Sequence, residues 1–112
     1  MKKFSLVAVL VLLIVLVGCT KETPAEYFDY KKARNQIRIT GLVKKDLEKI
    51  VIPERIEGSF VTIIGDTAFA GCTNLTNVTI PDSVTEITYR AFADCTSLKN
   101  VTIPDSVESI GW

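Results

Sequence analysis

The sequence predicts an α/β repeat solenoid of 23-residue units, each a short strand plus one helical turn. The first observation behind this is a duplication. Residues 64–86 read IGDTAFAGCTNLTNVTIPDSVTE, residues 87–109 read ITYRAFADCTSLKNVTIPDSVES, and fifteen of the 23 aligned positions are identical. The second is a strand-like motif ending in proline that occurs three times: Ile50-Val51-Ile52-Pro53, Val78-Thr79-Ile80-Pro81 and Val101-Thr102-Ile103-Pro104. Its first interval is 28 residues and its second 23, so the first turn carries five extra residues around Glu57-Gly58-Ser59-Phe60. A fixed period of this size means that each unit buries its apolar side on the next. Such arrays work mainly by presenting extended surfaces.

The N-terminus is a separate segment. Met1-Lys2-Lys3 is basic, and Phe4 to Gly18 is a run of 15 residues that is apolar apart from Ser5. This is the n-region and h-region pattern of an export signal, and it is shorter than the roughly 18–20 residues of a spanning helix. The run ends in Leu16-Val17-Gly18-Cys19, which resembles a bacterial lipobox. The resemblance implies cleavage after Gly18 and acylation of Cys19, and several acyl chains at about 0.8 kcal/mol per buried methylene make a stable anchor. The alternative is an uncleaved membrane helix with an incidental cysteine. Residues 1–18 are thus expected to be a signal peptide and residues 19–36 a tether and N-terminal segment. The repeat domain is expected over residues 37–112.

Within the domain, Ile37 and Ile39 alternate with polar residues and predict a half-buried strand ending at a Gly41 turn. In each repeat, Asn77-Val78-Thr79-Ile80 predicts a strand with Val78 and Ile80 inward. Pro81 has no N–H for a ladder and stops it, and Asp82-Ser83 supply a turn. Val84 and Ile87 return to the core. Ala91-Phe92-Ala93 is expected to form the helical turn, with Phe92 as bulky filler, and Cys95 and Leu98 close the circuit. One turn earlier the same roles fall on Ile64, Phe69, Cys72, Leu75, Val78 and Ile80, so Phe69 stacks beside Phe92 and Cys72 beside Cys95.

Composition restricts the chemistry. The 47% hydrophobic content owes much to the leader, and residues 19–112 suit one small domain with a modest core. The chain contains no histidine, which removes the commonest general base and metal ligand. No phosphate-binding glycine loop and no nucleophile elbow is present. The prediction is a non-enzyme without cofactor or metal. Charge is segregated: residues 31–55 carry eight basic and three acidic side chains, residues 57–112 two basic and seven acidic. That balance gives no field toward nucleic acid. It suggests solvated faces of unequal composition, or a basic end placed against an anionic surface. Cys72 and Cys95, one period apart, fall about 4.8 Å from each other in a stacked array, within the about 4.4–6.8 Å that a disulfide spans. Two packed thiols and a bridge are both compatible with this. The Asn-x-Thr triplets at Asn74, Asn77 and Asn100 reflect strand composition and not glycosylation.

The pattern Ile-Gly-x-x-Ala-Phe-x-x-Cys-x-x-Leu-x-x-Val-x-Ile-Pro-x-x-Val, complete from Ile64 to Val84, resembles the BspA-like leucine-rich repeat, also known from treponemal surface proteins. Thr88 replaces the glycine in the second copy. The resemblance implies a right-handed curved solenoid with a strand-lined concave face and no catalytic residues. It also implies export to the cell surface and adhesion to host or neighbouring-cell proteins or glycans. The outward strand positions Lys49, Val51, Asn77, Thr79, Asn100 and Thr102 are then the candidate binding face. The pattern breaks off in mid-repeat at Ser109-Ile110-Gly111-Trp112, so the array is expected to be C-terminally incomplete. Val101, Ile103, Val107, Ile110 and Trp112 are expected to form an uncapped edge able to self-associate. The function that follows is a membrane-anchored surface lipoprotein used for binding. The alternative is a truncated or degenerate repeat fragment with no independent function.

Overall fold

Each repeat contributes two extended stretches, and these build two sheets. The computed structural model describes residues 22–111; Cys19 and Trp112 lie outside them. A single 3-10 turn at Ala25–Tyr27 precedes nine strands: β1 Phe28–Ala33, β2 Gln36–Leu42, β3 Lys49–Val51, β4 Arg55–Ile56, β5 Ser59–Ile64, β6 Asn77–Thr79, β7 Glu86–Ile87, β8 Asn100–Thr102 and β9 Ser109–Ile110. One sheet runs β1-β2-β5-β7-β9 with β4 beside β5, and the other runs β3-β6-β8. Equivalent strands of successive repeats pair in parallel, as Ile50↔Val78↔Val101 and Ile64↔Ile87↔Ile110. The result is a β-solenoid of about three turns.

The expected helical turn is not formed: no α-helix occurs among the described residues, and the α/β assignment is corrected to β-solenoid. The reason lies in the backbone. Thr67 and Gly71 have φ of 54° and 75°, and their counterparts Arg90 and Asp94 have φ of 51° and 59°. Two left-handed residues four apart bracket each Ala-Phe-Ala stretch, and a right-handed helix cannot run through them. The N–H groups then alternate in use. Those of Thr67, Phe69 and Gly71 donate to the carbonyls of Tyr89, Ala91 and Ala93 in the next rung, while those of Ala68, Ala70 and Cys72 close local turns onto Gly65, Thr67 and Phe69. A helix would turn all of these inward and leave the rungs unbonded to each other.

The core matches the repeat reading. Ile64, Phe69, Cys72, Leu75, Val78, Ile80, Val84 and Ile87 are all buried, together with Ile37, Ile39, Ile50 and Ile52. The strand carrying Ile37 and Ile39 runs through Gly41 to Leu42 and does not stop at the glycine. The five-residue insertion is the β4–β5 hairpin, with Glu57 and Gly58 at φ of 51° and 76°. Two positive φ values in a two-residue loop match the twist of the strands they join.

Residues 22–36, read from sequence as tether and N-terminal segment, are seated on the first rung. Thr23 and Val51 exchange two hydrogen bonds, Thr23 N to Val51 O at 2.9 Å and Val51 N to Thr23 Oγ1 at 2.8 Å. Strand β1 pairs antiparallel with β2 and places Phe28 edge-on to Phe69, with ring centroids 6.3 Å apart. This end of the solenoid is thereby covered. Lys31 and Lys32 lie exposed on the outer strand β1, a placement that discourages further strand pairing. The basic end is also diluted. Glu22, Glu26 and Asp29 join it, leaving eight cationic and six anionic side chains over residues 22–55.

Candidate binding face

The three-stranded sheet brings all six predicted face residues together. In its register Lys49, Asn77 and Asn100 align across β3, β6 and β8, and so do Val51, Thr79 and Thr102. The intervening row, Ile50, Val78 and Val101, packs toward the core, with Ile50 and Val78 1% and 2% exposed. Alternation puts the two flanking rows on the other side. Lys49, Thr79, Asn100 and Thr102 are exposed, and Val51 and Asn77 partly so. Parallel strands repeat about every 4.8 Å, so the face offers two short ladders of amide and hydroxyl groups.

Two depressions border this face where the strands end. One, of about 460 Å³, is lined by Val51, Thr79 and Thr102 together with Glu22, Glu54, Pro81 and Asp82. The other, of about 340 Å³, is lined by Glu54, Phe60, Thr62, Asp82 and Ser83. Both share Glu54 and Asp82. Phe60 is 41% exposed, and the Arg55 guanidinium lies 4.2 Å from its ring centroid. Glu22 Oε2 accepts the N–H of Glu54 at 3.2 Å. Among the described residues the one ion pair is Arg90–Asp94 at 3.8 Å, so Glu54 and Asp82 have no cationic partner within 4 Å. Thr62 Oγ1 is buried with no hydrogen-bond partner among the described residues.

Reading the sequence did not single out Glu54, Phe60, Thr62, Asp82 and Ser83 as site residues; it placed Asp82-Ser83 in a turn and Phe60 in the insertion. The signal available was the proline–acid step at Pro53-Glu54, Pro81-Asp82 and Pro104-Asp105. It sets one carboxylate after the strand in every rung. Phe60 belongs to the insertion, outside the repeat pattern, and no period identifies it.

Cys72 and Cys95 are free thiols, so of the two sequence readings the packed pair is the one observed. Cys95 Sγ donates to the Phe69 carbonyl at 3.0 Å. Burial pushes both thiols above their ordinary pKa of 9.0, a shift that the charge of Lys45 partly offsets at Cys72. Protonated thiols act here as small apolar filler that ties one rung to the next. No grouping of His, Cys, Asp and Glu able to hold a metal ion occurs among the described residues.

The fold and the repeat register define a leucine-rich-repeat protein. Residues 35–112 match the family described as BspA type Leucine rich repeat region (6 copies). The chain belongs to this family. It is similar to a leucine-rich repeat protein of T. pallidum at 38% identity and TM-score 0.77, over 80% of this chain and 42% of that one. It is also similar to a leucine-rich cell surface protein of Faecalibacterium prausnitzii, at 34% identity and TM-score 0.68 over 85% and 27%. A leucine-rich repeat protein of Bacteroides ovatus matches at 29% identity and TM-score 0.65, over 78% and 24%. The chain spans less than half the length of each of these structures. No curated protein matches it. Repeats of this family are generally non-enzymatic modules that mediate protein–protein interaction.

Proposed function

We propose that the chain is a lipid-anchored binding protein of the bacterial cell surface, and that the β3-β6-β8 face contacts its partner through Lys49, Asn77, Asn100, Val51, Thr79 and Thr102. The observation that carries this reading is the register, which sets those six residues in two rows on one sheet. Asn and Thr ladders supply donors and acceptors at a fixed spacing, and a rigid sheet holds them without the entropy cost of ordering a loop. Export and anchoring rest on the leader and on Leu16-Val17-Gly18-Cys19. The cell-surface description of the F. prausnitzii relative supports the same location. The partner is a protein or glycan of a host or neighbouring cell.

One experiment with two arms tests this. Cells expressing the full chain are labelled with a radioactive fatty acid and scored for adhesion to partner cells. Cys19→Ala should abolish labelling of the chain and release it from the membrane. Thr79→Arg with Thr102→Arg should leave labelling intact and abolish adhesion, because two arginines protrude across the face. Equal labelling of wild type and Cys19→Ala overturns the anchor, and undiminished adhesion of the arginine variant overturns the face.

A further inference from the structure

The two depressions beside the face share two carboxylates and differ in what else they contain. The larger is continuous with the row Val51, Thr79 and Thr102. The smaller adds an aromatic ring and two hydroxyl groups, Thr62 and Ser83. At about 340 Å³ it sits at the low end of the ~300–1,000 Å³ typical of ligand sites, a size suited to one long side chain. We propose that the larger depression seats an extended segment of a protein partner, and that the smaller receives a lysine or arginine side chain of that segment. This deepens the protein-binding reading above and rests on it.

Charge complementarity selects the occupant. Glu54 and Asp82 line both depressions, and no described cation lies within 4 Å of either carboxylate. Residues 57–112 are acidic on balance, with seven acidic and two basic side chains. An anionic partner would meet two uncompensated carboxylates, and an apolar one would have to desolvate them. A basic side chain neutralises them and lays its methylene stem on the exposed Phe60. The ring already accepts one cation, since Arg55 stacks at 4.2 Å, and Arg55 is not a lining residue of the depression. Its charge subtracts from the local negative potential but makes no ion pair with Glu54 or Asp82.

The test titrates the full chain into fluorescein-labelled octalysine and octaglutamate peptides and reads fluorescence anisotropy. Octalysine should bind, with affinity falling as salt is raised, and octaglutamate should not. Glu54→Gln with Asp82→Asn should weaken octalysine binding roughly fivefold or more, the scale of two exposed charge pairs. Phe60→Ala should weaken it as well. Asp46→Asn with Glu108→Gln makes the same change in net charge away from the site and should have little effect. All these side chains are exposed, and thermal melts verify that each variant folds. Equal weakening by the distant pair means diffuse electrostatics and overturns the site, as does absence of octalysine binding. Carboxylate-dependent preference for a glucosamine oligomer over octalysine overturns the peptide partner in favour of an aminated glycan. The adhesion assay separates this inference from the broader reading. If Thr79→Arg with Thr102→Arg abolishes adhesion while the carboxylate pair does not, the face stands and the basic-side-chain site falls. If neither affects adhesion, the face itself falls.

Discussion

Phe69 and Phe92 hold the same place one rung apart, stacked with centroids 5.3 Å apart and planes 22° from parallel. Their surroundings differ. Phe69 is fully buried between Phe92 and the edge-on ring of Phe28, whereas Phe92 is partly exposed. Phe69→Ala should therefore cost about 3–5 kcal/mol, and Phe92→Ala roughly half as much. Urea denaturation of the two variants checks this, and equal losses would mean that burial does not govern the site. The role of both residues was legible from the repeat, because like stacks on like. Their inequality was not, since it depends on Phe28, a residue outside the period. Thr88 shows the reverse case. It replaces the glycine of the pattern, and its backbone N–H and Oγ1 both donate to the Ile64 carbonyl at 2.9 Å, so the departure strengthens the contact between rungs.

At the scale of an element, the Ala-Phe-Ala stretch is the instructive one. Alanine and phenylalanine flanked by polar residues read locally as a helical turn, and nothing in Thr67 or Arg90 announces a left-handed backbone. What decides the conformation is the neighbouring rung, whose carbonyls take every second N–H. Of the four left-handed residues that bracket the two Ala-Phe-Ala stretches, only Gly71 is a glycine. No atom lies within 4 Å of where a Cβ on Gly71 would be, so substitution there probes the backbone alone. Gly71→Val should destabilise the fold by about 1–2 kcal/mol. Gly71→Asn should cost less, because asparagine tolerates this region, as Asp94 does in the next rung. A valine variant with an unchanged denaturation midpoint would show that the left-handed residue is not required. The strands, by contrast, were legible where they carry the proline-terminated motif. Of the sheet β1-β2-β5-β7-β9 only the strand at Ile37 and Ile39 was legible, and β7 and β9 were not, because at two residues each they are too short to show a period of two.

The whole molecule behaves as a stack, and burial falls along it. Ile80 is 3% exposed and its counterpart Ile103 46%; Ile87 is 3% exposed and Ile110 54%. Identical residue types in identical register thus contribute unequally. Each rung gains from the neighbour on both sides, and the rung containing β8 and β9 has a described neighbour on one side only. Repetition in the sequence reveals the rungs but assigns them equal weight, which is why this gradient becomes visible only when the stack is assembled. In a nearest-neighbour array, local opening follows the number of interfaces lost. In the 112-residue chain the amides of Asn100 to Thr102 and of Ile110 should therefore exchange with solvent faster than those of Asn77 to Thr79 and of Ile87. Appending one designed rung with a polar cap after residue 112 should bury Ile103 and Ile110, slow that exchange and raise the melting temperature. Hydrogen exchange measured on both chains decides the matter. Uniform protection along the original stack, unchanged by the added rung, would show that the rungs open as one unit and that the exposed isoleucines do not lower local stability.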